Sequence, residues 1–199
     1  MSIDVKSPPE TSRAQRLKAL THATHDGLDK AIMAAHAFAN VENYGRFLAV
    51  QYLFHRDIAA LYDDADLQTL LPGLAERRRL PLVAADLHDL GLSIPQTDDP
   101  AAFTPGAIDA PAALGWLYVA EGSNMGAALL RKEVAKLGLS DAHGARHLAP
   151  APEGPAAHWR AFTAALDAAD LSDEEDARCA AGADAAFARA AALADALFR

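Results

Sequence analysis

Along most of this chain, apolar residues recur at spacings of three and four, which is how a helix presents one face to a core. Ser12 stands where an N-cap is needed, with Gln15 in the reciprocal capping-box position. Beyond it Leu17, Leu20, Thr21, Thr24, Leu28, Ala31, Ile32 and Ala35 trace one stripe. A second stripe, Phe47, Val50, Phe54, Ile58 and Leu61, predicts a helix from about Asn40 and Glu42 to about Tyr62. A third is predicted from about Pro72 to Leu90 through Leu74, Arg78, Leu82, Ala85 and Asp86. Residues 91–108 hold Gly91, Pro95, Pro100, Pro105 and Gly106 and read as a connection, because neither half alone would bury a good core. A long helix follows from about Ala110 to Leu137, stopped by Gly138. After a Gly-, Pro- and His-rich segment over 138–157, a helix covers about 156–169, and Ser172 with Glu175 caps the last one. Residues 1–11 show no period and are expected to be a frayed tail. The expected product is one all-α domain over 12–199, a bundle of seven or eight helices.

Composition supports that reading and narrows the function. The 199 residues are enough for a single sizeable core. There are 48 alanines against 18 Val, Ile and Thr together, a balance that favours helix over strand. A net charge of −9 argues against nucleic acid, which needs a basic face to neutralise phosphates. No apolar run approaches the roughly 20 residues of a membrane span and no secretory segment opens the chain, so a cytoplasmic protein without a membrane partner, acting as a monomer, is expected. The single cysteine, Cys179, excludes a disulfide framework and a thiolate-rich metal site. Eight histidines are more than a core ordinarily uses.

The predicted long helix carries two glycines where a helix least tolerates them. Gly122 and Gly126 each cost roughly 1 kcal/mol relative to alanine. Four apart, they share a face that Ser123 and Ala127 widen into a smooth strip. Such a strip admits either a second helix in close contact or a large flat ligand laid across the backbone.

On the first helix, counting 100° per residue from Leu17, Leu28, Ile32 and His25 fall at roughly 20°, 60° and 80°, and His22 at roughly 140°. His25 therefore borders the buried face, while His22 is solvated. Asp29, four residues on, can hold one imidazole nitrogen and leave the other free as a ligand. Lys18 lies two turns back on that face and could meet an anionic group. A half-buried core histidine satisfied by Asp29 would look the same in isolation. Histidine, carboxylate and lysine, opposed by a glycine strip elsewhere, together fit haem, which needs one axial ligand, a flat apolar sandwich and cations for its propionates.

The other histidines carry less. His36 and His55 lie off the apolar stripes, His88 ends a helix, and His143, His147 and His158 fall in or near a loop segment, so seven of the eight are expected at the surface or in loops. No pair has the spacing of a dinuclear iron or zinc site. Cys179 reads as an inert small residue, and Met33 and Met125 as core filler.

Four stretches carry a resemblance: Leu20–His25; Arg46–Phe54; Gly115–Ala127, with its Glu-Gly-Ser-x-x-Gly-Ala core; and Gly144–Leu148. With these, the chain from about residue 13 onward resembles a bacterial haem oxygenase. The resemblance implies an all-α fold with haem b, both substrate and cofactor, between a proximal helix and a kinked distal helix. It implies His25 as the ligand to the iron (Fe), supported by Asp29, and Gly122 and Gly126 as the distal glycines. Phe187 is implied as an aromatic lining the pocket and Lys18 as a propionate anchor, with Tyr118, Arg131 and Lys132 as further candidates. The implied reaction uses O2 and electrons to cleave haem at a meso carbon, giving biliverdin, CO and Fe2+.

The strip carries no aspartate to order water, so Ser123, Asn124 or backbone groups are expected to do so. An electron donor, ferredoxin or a flavoprotein reductase, is implied as a partner, and Arg77, Arg78 and Arg79 are the candidate docking patch. A haem carrier or sensor would keep the pocket without turnover. A haem-free hydrolase on the same scaffold would need a cysteine nucleophile, for which Cys179 is poorly placed.

Overall fold

The computed structural model of the chain describes residues 11–199. Residues 1–10 of the expected tail lie outside them. In order the helices are α1 (Arg13–Ala34), α2 (Val41–Asp57), α3 (Ala65–Leu70), α4 (Leu80–Asp89), α5 (Ala110–Ala135), α6 (Pro155–Ala168) and α7 (Asp173–Phe198). Short 3-10 turns occur at Ala59–Asp63, Ala75–Arg77 and Arg146–Leu148. Among the described residues no β-strand forms, only isolated bridges from Ser140 to His143 and Gly144.

Both predicted capping boxes are present: Ser12 and Gln15 bond reciprocally at the start of α1, and Ser172 and Glu175 at the start of α7. Gly138 turns the chain after α5 with φ +80°, the conformation its position required. Two elements differ from expectation. The helix expected to reach Tyr62 ends at Asp57, and its last turns tighten into the 3-10 segment. The one expected over Pro72–Leu90 is two pieces, because Pro81 has no amide to donate and stands in the first turn of α4. Between the 3-10 segment at Ala59–Asp63 and Pro72 lies α3, six residues capped by the Asp64 side chain and too short to show a period.

The closest helix crossing is between α5 and α7, and glycine makes it possible. A Cβ on Gly115 would stand 2.6 Å from the Ala183 amide nitrogen, and one on Gly182 would stand 2.9 Å from the Ala112 carbonyl carbon. Around this crossing Leu114, Leu117, Cys179, Ala183, Ala186 and Phe187 pack into the larger of two cores, with α2 and α6 closing its sides. A second core joins α2, α4 and the far end of α5 through Tyr44, Phe47, Leu48, Val83, Leu87 and Val134. Both α1 and α5 pack on α7, yet they make next to no contact with each other. That separation leaves a cleft with α7 beneath it.

Candidate functional site

On the α1 side the core ends early. Arg13, Leu17 and Thr21 are its buried residues, and Leu20, expected in the stripe, is exposed. Arg13 ties the start of the helix down, donating to the Leu166 carbonyl and to Asp176 at 2.5 Å. Farther along, the His25 side chain is 52% exposed. Its Nδ1 lies 3.3 Å from Asp29 Oδ2 and 3.9 Å from Asp26 Oδ1, which leaves Nε2 as the free nitrogen. Its ring meets Phe187 of α7 edge-on, centroids 5.9 Å apart. His22 is exposed, as expected, and reaches Asp26 at 3.7 Å. Lys18 is exposed and forms no ion pair among the described residues.

The α5 side is one helix, continuous from Ala110 to Ala135 through Gly122 and Gly126. The two glycines face different surroundings. A Cβ on Gly122 would make ordinary contact with Trp159 at 3.6 Å, whereas one on Gly126 would meet nothing within 4 Å. No helix lies on Gly126, so the close-packing explanation of the strip belongs to Gly115 instead. Ser123 donates its hydroxyl back to the Ala120 carbonyl at 2.7 Å. Met125, expected in the core, and Leu129 are both exposed beside Gly126, Leu129 by 62%. Exposed apolar side chains flanking an open glycine are a surface that favours an apolar occupant.

The candidate anchors are placed differently. Lys132 is exposed on the last turns of α5. Arg131 is half-buried and paired with Asp141 at 2.9 Å. Tyr118 is buried against Trp159, centroids 5.5 Å apart, and burial raises its phenol pKa.

The arginine run is not a surface patch. Arg77 is 8% exposed and bonds to Glu121, itself 2% exposed, at 2.6 Å. Arg78 pairs with Asp63, and Arg79 donates to the carbonyls of His147 and Ala149 at 3.1 and 3.0 Å. Arg77 and Arg79 are committed to internal partners and Arg78 to Asp63 at the surface, so the run offers an acidic protein no free cluster of cations.

Nor are seven histidines peripheral. His55 and His147 are buried. Burial pushes the His55 pKa down to about 3, with Arg79 and His147 adding to the effect. His147 Nδ1 lies 2.7 Å from Asp86 Oδ2, but burial outweighs that bond and lowers its pKa. Asp86 also accepts from the amides of Arg146 and His147; burial opposes its ionisation, yet these bonds hold its pKa below the usual value. The sequence held two signals for this network: Asp86 on an apolar stripe, and Glu121 in the middle of an otherwise apolar run. Cys179 is buried beneath α5 and its thiol is pushed up to about 11, which removes it as a nucleophile.

On α1 His25 is exposed, oriented by a carboxylate and backed by Phe187, and on α5 the Gly126 backbone is bare; two such walls on α7 suit a planar ligand. The residues fit haem: a free imidazole nitrogen, an aromatic floor in Phe187, exposed apolar rims and unpaired lysine charge.

The comparisons agree. The family described as Heme oxygenase matches residues 11–195. The heme oxygenase PigA of Pseudomonas aeruginosa is 42% identical over 190 residues, covering 94% of this chain and 95% of that protein. A heme oxygenase of Xanthomonas campestris is 36% identical over 116 residues, covering 58% of this chain and 67% of that protein. Among solved structures, the NO- and CO-bound heme oxygenase of Neisseria meningitidis superposes with a TM-score of 0.88 at 42% identity, covering 94% of this chain and 92% of that one. The chain belongs to the haem oxygenase family and is a haem-degrading enzyme.

Proposed function

We propose that the domain over 12–199 binds haem b between α1 and α5 and cleaves it at a meso carbon with O2 and electrons, releasing biliverdin, CO and Fe2+. The observation that carries this reading is an oriented, half-exposed His25 on α1 and an open Gly126 backbone on α5, two helices that both pack on α7 and barely touch each other. Bound haem supplies both the iron that activates O2 and the carbon that is attacked.

The chain's own part is to place the ring and manage charge. His25 Nε2 would hold the iron, and Asp29 at Nδ1 would fix the tautomer and the ring's orientation. Phe187 buttresses the imidazole from below. Lys18 and Lys132 supply positive charge for the propionates; Arg131 can join only by leaving Asp141, and Tyr118 lies deeper, against Trp159. Gly122 and Gly126 bring backbone rather than side chain to the distal face, so a small diatomic has room there. The Ser123 hydroxyl, near the same face, is the side-chain group nearest in sequence that can order water.

Electrons come from a ferredoxin or a flavoprotein reductase that docks away from Arg77–Arg79. No described helix is long and apolar enough to cross a membrane, and we place the enzyme in the cytoplasm as a monomer. The test is hemin titration followed by ascorbate- or ferredoxin-driven turnover. A Soret band that His25→Ala alters, converting to a biliverdin spectrum, supports the reading. A haem complex that survives many equivalents of reductant overturns it and leaves a carrier.

A further inference from the structure

Two successive residues of α5 meet two successive residues of α6. Glu121 Oε2 lies 3.4 Å from His158 Nε2, and the Cβ position of Gly122 lies 3.6 Å from the Trp159 ring. Arg77 locks the first pair, bonding to Glu121 at 2.6 Å and donating to the His158 carbonyl at 3.1 Å while its guanidinium lies over Phe162. The chain of contacts reaches solvent through His158 Nδ1, 2.6 Å from the half-exposed Glu153. We infer that Glu121, gripped by Arg77 and His158, is a positioning residue that fixes where the Gly122 backbone stands in the cleft, and that the charge on His158 is felt at Gly122. This deepens the haem reading above and rests on it.

Apolar residues of similar volume could pack α5 on α6 as firmly, since a buried ion pair adds little net stability. What the ionic pair adds is register. Glu121 and Gly122 are covalent neighbours, and so are His158 and Trp159, so a slide that lengthens the first contact drives the indole into or out of the second. The groups facing His158 are Glu121 from α5, Glu153 from the turn before α6 and Arg77 from the 3-10 turn; Arg79 and Arg131 line the small hollow beside it, and Tyr62 faces Glu121. The Glu121 carboxylate is the main cause that raises the His158 pKa, with burial opposing and Glu153 assisting. Protonation therefore strengthens the grip and deprotonation loosens it.

The test uses the full chain labelled with 15N and titrated from about pH 5 to 8. The Gly122 amide is expected to move with the midpoint of the His158 ring, and that movement is lost in His158→Gln. In Glu121→Gln the His158 midpoint falls back toward its ordinary value and the Gly122 movement loses most of its amplitude. Glu153→Gln, at the exposed end, shifts the midpoint and keeps the coupling. A Gly122 amide that ignores the His158 titration, or that titrates unchanged in His158→Gln, overturns the inference; if Glu121→Gln does not fold, His158→Gln decides. Hemin added to the same sample is expected to bleach the Gly122 and Gly126 amides. Intact signals at that step overturn the cleft itself, whereas bleaching with no pH coupling overturns only the role of Glu121 and His158.

Discussion

The imidazole of His25 and the ring of Phe187 meet edge-on, centroids 5.9 Å apart and planes at 73°, and this contact joins α1 to α7 at the histidine proposed to hold the iron. An edge-to-face aromatic pair contributes about 0.5–1.5 kcal/mol beyond its buried area. Phe187→Ala also opens a cavity in the core, so it is expected to lower unfolding stability by about 3–5 kcal/mol. In Phe187→Leu, which keeps most of the volume, stability should be largely retained while the Soret band of the hemin complex broadens. An unchanged Soret band in Phe187→Leu would show that the ring does not orient His25.

Asp29 acts on the iron only through His25. Asp29→Asn is expected to weaken hemin binding or turnover toward the low end of the 10–100-fold range for lost partners of metal ligands, because the carboxylate is largely solvated. Resonance Raman of the ferrous complex should show a lower iron–histidine stretching frequency. An unshifted frequency would mean that Asp29 is a surface neighbour only.

The two kinds of glycine in α5 should separate stability from function. Gly126→Ala meets no atom within 4 Å and improves helix propensity, so the apo chain should gain about 0.5–1 kcal/mol while hemin turnover falls. Gly115→Ala and Gly182→Ala press on backbone that cannot move aside and should each cost at least about 1–3 kcal/mol. Urea midpoints together with turnover rates check both. A stabilised Gly126→Ala with full activity would remove that residue from the site.

Acid should unfold the protein through its buried histidines. The His55 pKa of about 3 lies below the ordinary value of 6.5, so between these pH values the unfolded chain binds a proton that the fold excludes. The stabilisation is complete above pH 6.5 and is lost as pH falls toward 3, at about 1.4 kcal/mol per pH unit for each such histidine. His147 shifts in the same direction and adds to the loss. Asp86, held below its ordinary value of 3.8, withdraws its own contribution only under stronger acid. Urea unfolding at successive pH values should show a shallower slope in His55→Leu than in the parent; equal slopes would reject the assignment.

Breaking the Arg77–Glu121 pair strands a buried charge. Arg77→Met is expected to cost about 3–5 kcal/mol, and Arg77→Met combined with Glu121→Leu to recover much of it. Charge reversal at Arg77 should therefore show first as unfolding in circular dichroism, before any change in donor kinetics. A folded, stable Arg77→Glu would contradict the buried pairing.

The features legible in the sequence are those that a short stretch decides by itself. Ser12 with Gln15 and Ser172 with Glu175 bring both partners of a cap within four residues, and His25 with Asp29 needs only one helical turn. Their placement follows from local geometry. What was not legible depends on residues far apart in the chain: Arg77 on Glu121, Asp86 on His147, Gly115 on Gly182. The arginine run looked like a solvated patch because its carboxylate partner lies 44 positions later. His147 looked like a loop residue because nothing beside it announces Asp86. Gly115 and Gly126 are the same letter on one helix, and only the neighbour across the gap separates a packing contact from an open face.

One consequence follows from how little of α1 is rooted. Its buried residues end at Thr21, and beyond that point a groove lined by Thr24, Gly27, Leu28 and Ala31 separates it from Ala191, Ala194 and Phe198 of α7. The half that bears His25 is thus a span, anchored by Arg13 and Leu17 before it and by the buried Ala37 and Phe38 just beyond its end. A bond from His25 to the iron, near the middle of that span, would act as a keystone, so that substrate capture would also finish the scaffold.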